Sequence, residues 1–191
     1  HNSVVSSATR LQEQGFEVEV VPVNQEGLID LNSLKSLLRE DTILVSICTV
    51  DSEIGLKQPI EEIGEILKNY PHCHFHTDAT QAIGKIPVHL ENVDLLTFAP
   101  HKFYGLTGIG GLIKKKNISL RPQMDGGKST TIYRAGTPDA ASISALEKAL
   151  SLSLEALEKR YKIVSSHYEK VKNTLLTYPK VTINNNKNSI P

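Results

Sequence analysis

The stretch Cys73–Gly111, CHFHTDATQAIGKIPVHLENVDLLTFAPHKFYGLTGIGG, decides how the rest of the chain is read. Phe75–Asp78 has the look of a short buried strand and ends on an acid. Val93–Phe98 is a second apolar run, and it stops just before His101-Lys102 and a glycine-rich segment. Working outward, strand and helix signals keep alternating. Upstream, Val4, Val5, Ala8 and Leu11 fall at helical spacing, with Gly15 where a C-terminal cap belongs. Phe16–Val23 alternates apolar and charged residues like a strand, and Asn24–Gly27 is a turn. Asp30 is placed to cap a short helix carrying Leu31, Leu34, Leu37 and Leu38. Thr42–Val50 is a continuous apolar run bounded by acids, the pattern of a strand covered on both faces in a parallel sheet. Pro59 falls in the first turn of a helix with Ile60, Ile63, Ile66 and Leu67 on one side. Downstream, Ile109–Ile113 supplies one more strand.

This order predicts an α/β fold, a mostly parallel sheet with helices on both faces. From Asn117 to Gly136 the chain is rich in Gly, Pro, Ser and Thr without periodicity, which reads as a long functional loop. Beyond Pro138, apolar residues from Ile143 to Leu175 recur in steps of three and four. That spacing gives one long helix, or two with a break, packed on the sheet rather than paired as a coiled coil. Val181–Ile183 follows as the first strand of a second layer. We therefore expect residues 1–136 to be part of a large ligand-binding domain. Residues 137–191 would be a connecting helix and the start of a small α+β domain. His1, without Met and directly before a helical pattern, and Ser189-Ile190-Pro191, straight after a strand-like run, read as cuts through a longer protein.

The chain has 191 residues, and its 21 Lys plus Arg balance 21 Asp plus Glu. That balance gives no electrostatic case for nucleic acid or for an anionic membrane as partner. Thr42–Val50 is the longest uncharged apolar run and is too short to span a bilayer. No signal-peptide pattern opens the chain. Cys48 and Cys73 both lie in strand-like runs, where free buried thiols are common, and two cysteines make no disulfide framework. The cytoplasm is the expected location.

In a sheet of this kind a ligand lies beyond the carboxyl ends of the strands. Asp51-Ser52, Asp78 and His101-Lys102 all follow strand ends, so one crevice can collect them. A lone lysine after a strand is ordinarily a solvated surface residue. The combination carries the chemistry: a lysine that can hold a carbonyl cofactor as an imine, and an acid that stays ionised against a ring nitrogen. These are the requirements for holding pyridoxal phosphate as an electron sink. Ala79 is small enough for a flat ring to lie close, and Gln81 can bond a ring oxygen through either end of its amide. His72, His74, His76 and Asp78 give a competing pattern, H-x-H-x-H-x-D, with alternate residues on one strand face. Part of it resembles the metal site of metallo-hydrolases of the β-lactamase type. Those continue with histidine where Ala79 stands, and His89, His101 and His167 lie in no convincing setting for further ligands.

HTDATQAIGK followed by HKFYG-x-x-GIGGL resembles the cofactor site of the cysteine desulfurases, pyridoxal-phosphate enzymes of the class V aminotransferase group with a fold type I large domain. The resemblance covers essentially the whole chain: His1 with its helix, GLIDL at 27–31, DTILVSI at 41–47, EIG at 53–55 and RAGT at 134–137. It implies Lys102 as the imine lysine, Asp78 against the pyridine nitrogen and Gln81 on the ring hydroxyl. By the same likeness His1 stacks on the ring and moves protons, and His101 contacts the phosphate. Thr137 would reach the phosphate of a second subunit's cofactor, which implies a homodimer. The substrate would be L-cysteine, converted to L-alanine with the sulfur passed as a persulfide to an acceptor or scaffold protein, as in iron-sulfur cluster assembly or thiolation.

Two departures bear on that expectation. The family's Asn-Asn before Glu is Asp51-Ser52 here, so the second position offers a shorter side chain and a single hydroxyl for the cofactor and substrate contact. Its Ser-Gly before His-Lys is Ala99-Pro100, which removes a hydroxyl and a backbone N–H from the phosphate grip. The family's phosphate-binding turn would precede His1, and its nucleophilic cysteine loop and carboxylate-binding arginine would follow Pro191. The isolated piece is accordingly expected to be structured but inactive. A selenocysteine lyase, an aminotransferase and a non-catalytic interaction domain are the alternatives.

Overall fold

The computed structural model describes residues 1–127 and 131–191. Its centre is a four-stranded sheet in the order β1 (Leu44–Cys48), β2 (His74–Asp78), β3 (Leu95–Phe98) and β4 (Gly111–Lys114). β1 pairs with β2 and β2 with β3 in parallel, while β4 returns antiparallel along β3. The sheet is thus mostly parallel, and the acid of β2 and the segment after β3 emerge at the same edge.

Burial alternates strictly along β2. Phe75 and Thr77 are buried, His74 is exposed, and His76 and Asp78 are half-buried. The buried side joins Val45 of β1, Leu96 of β3, Leu34 of α2 (Leu31–Leu37) and Ile60, Ile63 and Leu67 of α3 (Ile60–Leu67) in one core. α2 forms where expected because the Asp30 carboxylate accepts from the N–H groups of Asn32 and Ser33. In α3, Pro59 is the N-cap rather than a first-turn residue, and Glu61 and Glu62 complement the positive helix end. α1 (Asn2–Glu13) ends as read, with Gly15 at φ +91° just past its C-cap.

Several expectations need correction. Residues 16–23 form no strand; Val23 makes a single bridge to Ile29, and Val20 is 85% exposed. An alternating segment becomes a strand only when it finds a hydrogen-bonding neighbour, and among the described residues no strand lies alongside this one. Thr42–Val50 is not covered on both faces throughout, since Ile43 and Leu44 are exposed while Val45 is buried. Of the two forms expected for the C-terminal helical stretch, the structure takes the one with a break: α4 (Ala140–Glu155) and α5 (Leu157–Leu175) meet at Ala156. The Arg160 guanidinium caps the break, donating to the carbonyls of Leu152 and Ser153 at 3.3 and 3.0 Å. α4 packs on the turn after β3, but α5 fully buries no residue, and Tyr161, Val164, Val171 and Leu175 of its apolar stripe are exposed. Val181–Ile183 is not a strand. Instead Ile190 N–H donates to Gly55 O at 2.8 Å and Lys57 N–H to Asn188 O at 2.9 Å, bringing the chain's last residues beside the turn after β1. Among the described residues no helix is long and apolar enough to cross a membrane.

Asp94 ties the sheet together just before β3. Its carboxylate accepts from Phe75 N–H at 2.9 Å and pairs with Lys115 at 2.8 Å, while Lys115 N–H donates to its carbonyl. Burial pushes this carboxyl up, but the bonds from Lys115 and Phe75 and the charges of Lys115 and His74 outweigh it and hold it below the usual range. A carboxyl lowered in the fold stabilises above its unfolded pKa and loses that contribution as pH falls through the folded value. Asp94→Ala is therefore expected to lower unfolding free energy by about 2 kcal/mol at neutral pH. The gap to the unsubstituted protein should close in acid. Denaturant unfolding at several pH values measures this, and a gap independent of pH would contradict it.

Candidate active site

Asp78 is fixed through its backbone before its side chain is considered. Thr49 N–H donates to Asp78 O and Ala79 N–H donates to Thr97 O, both at 2.9 Å, so the last residue of β2 is bonded to the chain on either side. Beneath it Thr77 and Thr49 share a buried hydroxyl–hydroxyl bond of 2.8 Å. The Asp78 Oδ1 accepts from Thr80 N–H at 3.0 Å, which aims the carboxylate along the turn that follows and leaves Oδ2 for a ligand. Ala79 is buried.

On the same strand face, His76 bridges three strands: Nδ1 to Ser46 Oγ at 2.7 Å and Nε2 to Thr97 Oγ1 at 3.0 Å. Burial holds its imidazole below the usual histidine range against the opposing pull of Asp78, so at neutral pH it is an uncharged spacer across the sheet. This occupies both ring nitrogens with hydroxyl partners, while His72 and His74 point to solvent.

Lys102 sits on a 3₁₀ turn, Pro100–Phe103, that begins directly after β3. Pro100 supplies the fixed φ of a first helical position, and Ala99 at the N-cap makes no side-chain bond to the turn, as its missing hydroxyl requires. The turn closes through Lys102 N–H to Ala99 O and Gly105 N–H to Pro100 O. Tyr104, at its end, is left-handed with φ 70°. His101 and Lys102 are exposed, whereas Phe103 between them and Tyr104 is buried.

What grips this turn comes from far along the chain. Ser153 of α4, 2% exposed, donates from its hydroxyl to Phe103 O at 3.1 Å. Gly84 is the third party: a Cβ there would stand 2.9 Å from Phe103 Cβ and 3.0 Å from Ser153 Cβ, and its φ is +73°. Arg160, while capping α4, lies over the Tyr104 ring at 5.1 Å. On the sheet side, Phe98 packs 6.0 Å from Phe103, and its ring crosses β4 where Gly111 has no side chain to block it.

Gln81 belongs to this cluster as well. It lies in the turn region after β2, and its Oε1 accepts from the ammonium of Lys85. Lys85 in turn feels the charge of Lys102. Asp78, Gln81 and Lys102 are thus brought to one edge of the sheet. The other expected residues lie apart from these contacts. His1 is exposed and caps α1, its Nδ1 within 2.8 Å of Ser3 Oγ. Ser52 is exposed and donates to Glu53 at 3.4 Å, while Asp51 holds the turn by accepting from the N–H groups of Glu53 and Ile54. Thr137 is exposed before α4. Reading the sequence passed over Lys85, Ser153 and Arg160. Lys85 alone left a signal there, one helical turn after Gln81.

The family described as aminotransferase class V matches residues 1–190. The chain is 41% identical over 161 residues to the cysteine desulfurase IscS of Dictyoglomus turgidum, covering 83% of this chain and 41% of that protein. Among solved structures, a NifS-like protein from Rickettsia africae superposes with TM-score 0.90 at 30% identity, over 100% of this chain and 53% of that one. The structure described as SspA in complex with cysteine matches with TM-score 0.74 at 32% identity, over 79% of this chain and 44% of that one. The chain therefore spans about half the length of the proteins it matches.

Gly84→Ala forces a side chain into the contact between Phe103 and Ser153 and strains a positive φ. It should lower unfolding free energy by about 2 kcal/mol, through overpacking and backbone strain together. The expected companion effect is increased hydrogen exchange at Phe103 and Gly105. Unchanged stability would show that α4 does not rest on this contact.

Proposed function

As the chain belongs to the aminotransferase class V family, we propose that it is the cofactor-binding part of a pyridoxal-phosphate-dependent cysteine desulfurase, which takes sulfur from L-cysteine and leaves L-alanine. The observation that carries this reading is the delivery of Asp78 and Lys102 to the same ends of neighbouring parallel strands, with Gln81 bonded to Lys85, which feels the charge of Lys102.

The donor set fits the group. Lys102 offers an amine on an exposed turn and Asp78 a half-buried carboxylate with one oxygen committed to Thr80, whereas Ala79, where a flat ring is expected to lie close, is enclosed in the core. Bound there, pyridoxal phosphate supplies an electron sink for the substrate's α-carbon. Asp78 would hold the proton of the pyridine nitrogen by opposite charge. The Lys102 amine would hold the cofactor's carbonyl carbon and afterwards serve as the base at the substrate's α-carbon. His101 and Ser52 would contribute to the phosphate and ring contacts. Ala99 offers the phosphate no hydroxyl and Pro100 no N–H, so this grip is weaker than the resemblance implies.

His1 stacking on the ring and Thr137 reaching the cofactor of a second subunit belong to the same reading, which makes the working form a homodimer. Residues 1–136 then form part of the large domain, and 137–191 lead into the small one. Sulfur leaves as a persulfide on a cysteine of the longer protein and passes to an acceptor or scaffold protein, in iron-sulfur cluster assembly or thiolation. Cys48 and Cys73 are unpaired thiols, which fits a cytoplasmic setting. Neither is the nucleophile in this reading: Cys73 is buried, and burial first, then the charge of Asp51, pushes the Cys48 thiol up. The 191 residues alone are expected to fold without turning over cysteine.

In the full-length protein, borohydride reduction should fix the cofactor on Lys102, and peptide mapping that finds the label elsewhere would overturn the assignment. Lys102→Ala should abolish both label and turnover while shifting stability by less than about 0.5 kcal/mol, because the side chain is exposed.

Asp78→Asn should keep the cofactor and lose most activity. A lost interaction of about 3 kcal/mol corresponds to roughly a hundredfold in rate. Activity within twofold of the unsubstituted enzyme would reject the pyridinium role.

A further inference from the structure

Gln81 and Lys85 lie one helical turn apart in the segment after β2, where Ile83 N–H donates to Ala79 O at 2.9 Å and Ile86 N–H to Ala82 O at 3.0 Å. The Lys85 ammonium donates to Oε1 of Gln81. The direction of that bond decides which way the amide faces. An ammonium has three donors and no acceptor, so it can address only the carbonyl end of a glutamine. With Oε1 engaged, Nε2 is the end left for a ligand. Lys85 is half-buried, and burial first, then the positive charge of Lys102, weakens its hold on its proton. The Gln81–Lys85 pair therefore stands within electrostatic reach of the turn that carries Lys102.

We propose that Lys85 is a positioning residue that locks the Gln81 amide with Nε2 facing the ring oxygen of bound pyridoxal phosphate. This rests on the cofactor reading above. A flipped amide would turn its carbonyl toward an anionic oxygen and its NH₂ toward an ammonium, two repulsive contacts in place of two attractive ones. The ammonium also polarises the amide from behind, which makes its N–H a stronger donor. The sequence by itself leaves both ends of Gln81 open to the ring; Lys85 removes one of them.

The test uses the full-length protein loaded with pyridoxal phosphate and reads the pH midpoint of the cofactor's absorbance transition. Four proteins are compared: unsubstituted, Lys85→Met, Gln81→Ala and the double substitution. Asp78, His76, His101 and Lys102, the other titratable groups at these strand ends, are the same in all four. A donor to the ring oxygen stabilises its negative charge and lowers the midpoint, so losing the donor raises it. Lys85→Met should raise the midpoint by about one pH unit. It should add nothing where Gln81 is already Ala, and Lys85→Arg, also a pure donor, should restore most of the shift. An equal rise in both backgrounds would mean that Lys85 acts by its charge alone, and that result overturns the proposal, as does no rise at all. An unsubstituted protein with no cofactor absorbance overturns the cofactor reading and this inference with it, so the two failures are told apart.

Discussion

The constraint on which the site depends is the double anchoring of the β2 end. A residue at the end of a parallel strand normally frays, because its backbone runs out of partners. Here the carbonyl of Asp78 and the N–H of Ala79 are each bonded to a flanking segment, and the hydroxyls of Thr77 and Thr49 join underneath. The carboxylate is therefore carried by a part of the sheet that cannot tilt without breaking bonds on two sides. Gln58 extends the same support outward: its N–H donates to Thr49 O, while its side chain accepts from Ile29 N–H and donates to Gly27 O. A buried amide with both ends occupied ties the turn before α2 to the segment that feeds Asp78.

The lysine turn is held by a different principle. It is short, begins at a proline and ends in a left-handed tyrosine, so its own backbone bonds give it little stability. Its order comes from α4, whose buried Ser153 satisfies Phe103 O and whose capping arginine lies across Tyr104. The two halves of the candidate site thus draw on parts of the chain that are remote in sequence: the acid on the sheet, the lysine on a helix some fifty residues downstream.

Much of this was legible in the sequence, and the reasons it was legible are local. Asp30 before a leucine-rich repeat, Gly15 after α1 and the runs that became β1, β2 and β3 are signals carried by neighbouring residues, and each formed its element. The readings that failed needed information from elsewhere in the chain. Phe16–Val23 has a strand's alternation but no partner strand among the described residues, and the stripe on α5 has a buried helix's spacing yet stays largely exposed. At the site, Asp78, Gln81 and Lys102 could be singled out because strand ends gather ligands in such sheets. Ser153 and Arg160 could not, since a serine and an arginine in a helical stretch have no spacing that points at a turn fifty residues earlier. His1, Ser52 and Thr137 stay exposed and apart from these contacts.

The return of residues 188–190 to the turn after β1 has a consequence for the order in which the molecule assembles. Lys57 and Asn188 are separated by well over a hundred residues, and closing so long a loop yields two backbone bonds that together make one bridge, a side-chain bond from Asn186 to Glu26 O and the partial burial of Ile190. The entropy of closure is a cost that rises only slowly with length, but it must be met before these few contacts give anything back. The parallel pairing of β1 with β2, across some thirty residues, has a smaller closure cost and gains a five-residue ladder in return. The sheet is therefore the early structure, and the docking of residues 188–190 follows it. Because residues 188–190 lie against Gly55 and Leu56, their docking bears on the loop carrying Asp51 and Ser52 through the Asp51 N–H bond to Leu56 O.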